Sequence, residues 1–137
     1  MTSSMSVTLV NDLAEVERLS RLVEAFGEAG GMKPESVFNV NLALDEVITN
    51  VIRYAHDDGL QHPIVVRLAI DQDVLTAQVE DDGRAFNPLE APVPDIGASI
   101  EERPIGGLGI HLVRSVMNSV EYRREDGRNV LIMKKSL

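Results

Sequence analysis

An apolar stripe in the middle of the chain constrains the fold more than any other feature of the sequence. Its members are Val37, Val40, Leu44, Val47, Ile48, Val51 and Ile52. This spacing lines up one face of an α-helix, and Pro34 just before it is tolerated in a first helical turn. The stripe therefore predicts a long amphipathic helix that runs to about His56 and buries one side.

Shorter patterns on both sides of this helix predict strands and two further helices. Five alternating or β-rich runs predict strands, at residues 6–10, 64–70, 74–79, 120–124 and 129–135. Apolar spacing over residues 13–26, stopped by Gly30, predicts a helix, and another follows the glycines at 106–109. Four of the six prolines fall within residues 84–105. This segment is predicted to be a long loop with at most one helical turn, near Ile100.

Composition and charge exclude several classes of protein. The chain has no cysteine, which excludes disulfide frameworks, Cys-ligated zinc and Cys nucleophiles. Its 137 residues suit a single domain, and its net charge of -9 argues against binding to a nucleic-acid backbone. Short apolar runs and a polar N-terminus predict neither a membrane span nor a signal peptide. We therefore expect one cytoplasmic domain that spans residues 1–137.

The first cluster that can carry chemistry is Glu46 with Asn50 on the predicted long helix. The two residues are four positions apart and share one helix face. A carboxylate can accept a proton, and a carboxamide oxygen one turn later can bind a hard cation such as Mg²⁺. Taken alone, such a pair is more often a solvated helix face.

The second cluster is Asp81 with Gly83, where a predicted strand ends in acidic and turn residues. An Asp at such a strand end can accept a hydrogen bond from an exocyclic amine, and Gly83 lets a flat ring approach the backbone. The alternative is a plain acidic turn.

The third cluster is the glycine run Gly106-Gly107-Leu108-Gly109 before the last helix. Backbone N–H groups at a helix N-terminus bind phosphates, and the helix dipole strengthens the site. A Walker A loop is excluded because no Gly-Lys-Ser or Gly-Lys-Thr follows, and no βαβ unit supports a Rossmann site. The last 35 residues also carry seven basic and three acidic side chains, which favours an anionic ligand there.

The order of the three clusters resembles that of the GHKL, or Bergerat, ATPases, and more closely the small anti-sigma-factor serine kinases of the RsbW and SpoIIAB type. The resemblance covers nearly the whole chain. It rests on residues 41–56, on the Asp-x-Gly-x-x-Phe-x-Pro box from Asp81 to Pro88, and on Gly106-Gly-Leu-Gly-Ile110. It implies an α/β two-layer sandwich with a mixed, largely antiparallel sheet and three helices on one face.

The resemblance also implies a role for each cluster in binding ATP and Mg²⁺. Glu46 would be the general base and Asn50 the Mg²⁺ ligand within the nucleotide site. Asp81 would accept the adenine amine, with Gly83 beside the ring. The phosphate contacts would come from Gly107, Leu108 and Gly109. Residues 84–105 would form the ATP lid.

The sequence departs from the family pattern at two positions. Ala85 stands where many members have a second glycine, and residues 127–130 lack the frequent Thr. The second departure weakens the expectation of an adenine-side hydrogen bond from Asn129. The histidines, which are His56, His62 and His111, are widely separated, and their spacing predicts no metal site.

The expected function is that of a stand-alone serine/threonine kinase. It would phosphorylate a STAS-domain anti-anti-sigma protein and sequester a sigma factor, with no nucleic acid and no membrane as partner, and a homodimer is left open. The sequence shows neither an upstream helix with a phosphoacceptor His nor a transducer domain, which argues against a complete sensor kinase. The alternatives are a nucleotide-binding module that sequesters a partner without phosphorylating it, and a switch kinase that releases a phosphatase.

Overall fold

The computed structural model describes residues 3–90 and 107–137. Strand β1 (Ser3–Val10) is followed by helices α1 (Ala14–Ala29) and α2 (Pro34–Tyr54). Strands β2 (Pro63–Asp71) and β3 (Val74–Asp81) come next, and a short 3₁₀ turn covers Pro88–Glu90. Helix α3 (Gly107–Val116) leads into strands β4 (Ser119–Glu125) and β5 (Arg128–Ser136).

The strands form one five-stranded sheet in the order β1-β2-β3-β5-β4. All four neighbouring pairs are antiparallel. Two-residue turns, Gln72-Asp73 and Asp126-Gly127, close the β2–β3 and β4–β5 hairpins, and both residues of each turn have positive φ, as tight hairpin turns require. Strand β3 is central, and its last residue, Asp81, lies between Ile64 on β2 and Asn129 on β5.

One face of the sheet carries the hydrophobic core, because alternate residues of each strand point to the same side. On strands β2 and β3 this side consists of Ile64, Val66, Leu68, Ile70, Leu75, Ala77 and Val79, all buried. Helices α1 and α2 cover it with Leu19, Val23, Val40, Leu44 and Ile48. Fully burying one such aliphatic side chain stabilises the fold by about 1.5–3 kcal/mol. Helix α2 packs against both α1 and α3 and so fixes the position of both.

The opposite face of the sheet carries polar and charged side chains. On β3, Glu80 is the acidic residue on this side, one position before Asp81. Its carboxylate lies 3.2 Å from Arg67 on β2 and 3.8 Å from Arg128 on β5. The side chains of Glu80 and Asp81, adjacent at the end of β3, therefore point to opposite faces of the sheet.

The structure confirms the predicted two-layer architecture and refines its details. The sheet is antiparallel throughout the described residues rather than mixed, and β1 begins earlier than predicted because Ser3 already pairs with Ile70. Of the proposed lid, only residues 84–90 are described, and the predicted turn near Ile100 lies outside the described residues. No helix in the described ranges is both long and apolar enough to cross a bilayer.

Candidate functional site

A largely apolar pocket opens between helix α2, helix α3 and the ends of strands β3 and β5. Its apolar walls come from Val47, Val51, Val79, Ile110, Val113 and Leu131. Its polar groups include Asn50, Asp81, Tyr122 and Asn129. A mostly apolar cleft with a few convergent polar groups is typical of a small-molecule site. The pocket brings together one residue from each of the first two sequence clusters, Asn50 and Asp81.

Helix α2 carries the first cluster, Glu46 and Asn50, beside this pocket. Asn50 lines the pocket, and Glu46 lies one turn earlier on the same helix face. Both side chains are partly buried. A partly buried amide oxygen beside a carboxylate is an oxygen donor set of the kind that Mg²⁺ binds.

The carboxyl group next to Glu46 has a perturbed pKa. Burial raises the pKa of Asp45 above its ordinary value, and the nearby charge of Glu46 raises it further. The folded state therefore favours the protonated form of Asp45. This contribution to stability is complete below the ordinary Asp value, about 3.9, and is lost as the pH rises through the folded pKa.

We therefore expect Asp45→Asn to gain stability relative to the wild type as the pH is raised from 3 to 7. The variant keeps the size of the side chain and removes the ionisation that folding opposes. Urea unfolding of both proteins at the two pH values measures the difference, with Asp71→Asn at an exposed strand end as the control for charge removal. A difference that stays constant with pH would contradict this interpretation of Asp45.

Asp81 is buried at the end of β3, with 6% of its surface exposed. Its Oδ1 accepts hydrogen bonds from the backbone N–H of Gly83 at 2.9 Å and from Nδ2 of Asn129 at 3.1 Å. Within the described residues, Oδ2 of Asp81 has no hydrogen-bond partner. This oxygen is not fully buried. One oxygen thus fixes the carboxylate, and the other remains able to accept a hydrogen bond from a ligand.

Asn129 holds this arrangement together from the neighbouring strand β5. Its Nδ2 donates to Asp81 and, at 2.8 Å, to the carbonyl oxygen of Arg84. Its Oδ1 accepts from the backbone N–H of Phe86 at 3.2 Å and from the Tyr122 hydroxyl at 2.6 Å. Two acceptors at Nδ2, which are Asp81 and the Arg84 carbonyl, and the Phe86 N–H donor at Oδ1 fix the orientation of the amide. Both amide hydrogens are used within the protein, so neither is free for an adenine ring.

Gly83 packs against the end of helix α2 and is not among the residues that line the pocket. A Cβ at this position would lie 2.7 Å from the carbonyl oxygen of Ala55, at the end of α2. The same oxygen accepts a hydrogen bond from the N–H of Arg84 at 3.0 Å, and Arg124 donates to the Gly83 carbonyl at 2.8 Å. The missing side chain therefore allows the end of helix α2 to pack closely against Gly83. The place of Gly83 beside an adenine ring stays a prediction.

The third cluster forms the first turn of helix α3. Its backbone is helical from Gly107, through Leu108 and Gly109, while Gly106 lies outside the described residues. Ile110 and Val113 of the same helix line the pocket. The N-terminal turn of α3 therefore lies close to the apolar pocket, where its N–H groups can meet an anion.

Three aromatic residues without a predicted role also line the pocket, and Asn129 has a larger part in the site than predicted. Tyr54, Phe86 and Tyr122 all line the pocket. Phe86 is the Phe of the Asp-x-Gly-x-x-Phe-x-Pro box and Tyr54 lies within residues 41–56, but neither was assigned a role, and Tyr122 belongs to no motif. Asn129 stands directly opposite Asp81 in the β3–β5 register. Only the pairing of these two strands reveals that relation.

The sequence of the chain matches a known protein family. A family model described as a histidine kinase-like ATPase domain matches residues 9–135. The chain belongs to this family. The predicted resemblance to GHKL-type ATPases is confirmed by this match.

Individual relatives place the chain nearer to one branch. The serine/threonine-protein kinase BtrW of Bordetella bronchiseptica is 31% identical over 98 residues, covering 70% of this chain and 68% of BtrW. The serine-protein kinase RsbW of Listeria monocytogenes serovar 1/2a is 29% identical over 125 residues, covering 88% of this chain and 80% of that protein. The predicted similarity to RsbW-type kinases is thereby confirmed.

A solved structure shares the fold at lower identity. The structure of the RsbU and RsbW domains of Rv1364c from Mycobacterium tuberculosis superposes with a TM-score of 0.73 at 13% identity. The match covers 98% of this chain and 32% of that chain. It shows a common architecture.

Proposed function

We propose that the chain is an ATP-dependent serine/threonine protein kinase that acts in the cytoplasm as an anti-sigma factor. Its substrate would be a hydroxyl of a STAS-domain anti-anti-sigma protein, and its second partner a sigma factor that it sequesters. The relatives named as serine and serine/threonine kinases support the reaction class. The partners follow from the resemblance to the RsbW-type branch, and residues 1–137 would act as one domain with a lid at 84–105.

The observation that carries the proposal is the half-engaged carboxylate of Asp81. Its Oδ1 is fixed by two protein hydrogen bonds, and the apolar pocket beside it suits a purine ring. An ionised carboxylate accepts hydrogen bonds and donates none. Its Oδ2 would accept from the exocyclic amine of adenine, whereas guanine presents a carbonyl oxygen at that ring position and would be repelled.

The remaining parts of the site suit the triphosphate and its metal ion. Asn50 would hold Mg²⁺ through its amide oxygen, and the N–H groups of Gly107, Leu108 and Gly109 would hold the phosphates. Bound Mg²⁺-ATP supplies the transferable phosphoryl group and neutralises charge in the transition state. Glu46, on the same helix face as Asn50, would accept the proton of the attacking hydroxyl.

The nucleotide assignment is tested by the thermal or urea stability of the protein with and without Mg²⁺-ATP. A ligand bound only by the folded state adds about 2.7 kcal/mol at a hundredfold excess over its Kd. Asp81→Asn is expected to remove most of this stabilisation. Its amide oxygen can keep the bonds to Gly83 and Asn129, but its NH₂ group then faces the adenine amine, donor against donor.

The matched control is Asp82→Asn, the same change one residue later. Asp82 is not part of the pocket lining, so this variant should keep the full response to Mg²⁺-ATP. An equal response in Asp81→Asn and the wild type would show that Asp81 does not bind the base. A wild type that does not respond at all would overturn the ATP assignment itself.

A further inference from the structure

A second polar cluster lies outside the nucleotide pocket, at the same end of the sheet. His56 follows helix α2, His62 precedes strand β2, and Asp82 follows strand β3. The β2–β3 register, in which Ile64 pairs with Asp81, brings the last two side by side. The fold thus unites two histidines and an aspartate that the sequence spacing did not connect.

The potential ligand atoms of this cluster converge on one carboxylate oxygen. Oδ1 of Asp82 lies 3.0 Å from Nε2 of His56 and 3.7 Å from Nδ1 of His62. One nitrogen from each histidine and one Asp82 oxygen all lie within 4.8 Å of one another. Ligands at about 2.0–2.1 Å from a tetrahedral Zn²⁺ are separated by roughly 3.3 Å. The observed separations from Oδ1 fall on either side of that value.

A fourth residue fixes the tautomer of one histidine. Nε2 of His62 lies 2.7 Å from Oδ2 of Asp58. The other oxygen of this carboxylate, Oδ1, accepts a hydrogen bond from the Leu60 N–H at 3.0 Å, which holds Asp58 in place beside His62. When Nε2 of a neutral His62 donates this hydrogen bond, Nδ1 carries the lone pair, and Nδ1 lies 3.7 Å from Oδ1 of Asp82. A carboxylate that orients a ligating histidine in this way is a common companion of protein metal sites.

We propose that His56, His62 and Asp82 form a binding site for a divalent transition-metal ion of the Zn²⁺ class, with Asp58 orienting His62. The ion would take Nε2 of His56, Nδ1 of His62 and an oxygen of Asp82. Water would complete the coordination, because the side chain of Asp82 is 41% exposed. Two imidazoles and one carboxylate suit Zn²⁺, whereas Mg²⁺ prefers oxygen ligands alone.

Metal binding requires one local adjustment of the side chains. The two imidazole rings are stacked, with centroids 3.4 Å apart and planes inclined by 3°. Their lone pairs must tilt towards each other to share one ion. Rotation about the side-chain torsions of His56 and His62 would supply this tilt.

The site would join three elements next to the nucleotide pocket. It would connect the end of α2 to the β2–β3 pair, one residue beyond Asp81. The proposal rests on the cluster alone and stands whether or not the chain binds ATP. Its tests therefore use protein free of nucleotide.

Isothermal titration of the full chain with Zn²⁺ in a non-coordinating buffer tests the site. The wild type should bind one ion, and His62→Gln and Asp82→Asn should each weaken binding at least tenfold. Asp58→Asn should weaken it about 10–100-fold, the effect typical of residues that orient a metal ligand. Excess Mg²⁺ should not displace the ion, and Co²⁺ bound in place of Zn²⁺ should show the visible absorption of a tetrahedral site.

His111→Gln is the matched control, because His111 is an exposed histidine on α3 outside the cluster. This variant should bind Zn²⁺ as the wild type does. Absence of binding to the wild type, unchanged binding in His62→Gln and Asp82→Asn, or loss of binding in His111→Gln would each overturn the proposal. The melting temperature of each metal-free variant confirms its folding, and His56→Gln replaces His62→Gln if that variant does not fold.

Discussion

Glu46→Gln is expected to lower the rate of phosphoryl transfer about 10²–10⁴-fold, the usual contribution of a general base. Glutamine keeps the length and helix propensity of the side chain but cannot take the proton of the attacking hydroxyl. Because Glu46 would act on that hydroxyl rather than on the nucleotide, the affinity for Mg²⁺-ATP should persist. Single-turnover transfer of the γ-phosphate to a STAS-domain partner, with a parallel ATP titration, measures both quantities.

Two comparison variants make this result specific. Asn50→Ala should lose Mg²⁺-dependent affinity for ATP as well as phosphotransfer, because its amide oxygen would hold the metal ion. Asp45→Asn removes the neighbouring carboxylate on the same helix and should retain phosphotransfer. A Glu46→Gln variant with the wild-type rate would refute the general-base role. A wild type that binds its partner and ATP without transferring phosphate would instead identify a sequestering module.

Asn129→Ala is expected to lower the free energy of unfolding by about 2–4 kcal/mol and to weaken ATP binding together with it. The substitution removes four hydrogen bonds at a buried position. The N–H of Phe86 loses its acceptor, and Oδ1 of Asp81 loses one of its two donors. A typical hydrogen bond contributes about 0.5–1.5 kcal/mol, and an unsatisfied buried group costs about 1–3 kcal/mol. Urea unfolding with and without Mg²⁺-ATP measures both effects.

Tyr122→Phe is the graded control for this prediction. It removes only the hydroxyl that donates to Asn129 and should cost about 0.5–1.5 kcal/mol. If Asn129→Ala were no more destabilising than Tyr122→Phe, the bonds to Asp81 and to residues 84–86 would contribute little. The hydrogen-bond network around Asp81 would then not depend on Asn129.

Local sequence patterns predicted the elements of the fold because each pattern records burial along a single segment. The stripe from Val37 to Ile52 predicted helix α2, and the five alternating or β-rich runs predicted the five strands of the sheet. Order along the chain then sufficed to associate Glu46, Asn50 and Asp81 with one site through the family resemblance. Two of these three, Asn50 and Asp81, line the same pocket.

The contacts that depend on strand register could not be predicted in the same way. Asn129 is 48 residues from Asp81 along the chain, and their hydrogen bond follows only from the pairing of β3 with β5. The contact between His56 and His62 likewise depends on where α2 ends and β2 begins. Gly83 was recognised as part of a sequence motif. Its close contact with Ala55 could not be predicted, because no local pattern encodes the position of that helix end.

The end of strand β3 has a consequence for how this protein tolerates mutation. Glu80, Asp81 and Asp82 are three successive acids with separate environments: the arginines of the polar face of the sheet, the apolar pocket and the histidine cluster. Their total charge is the same in any order, yet each position needs its own side-chain length and direction. A single-residue insertion or deletion in β3 would misdirect all three at once, because a shift of one position turns every side chain to the other face. In a library of variants, β3 should therefore accept almost no insertions or deletions. The exposed surfaces of the helices should accept many substitutions.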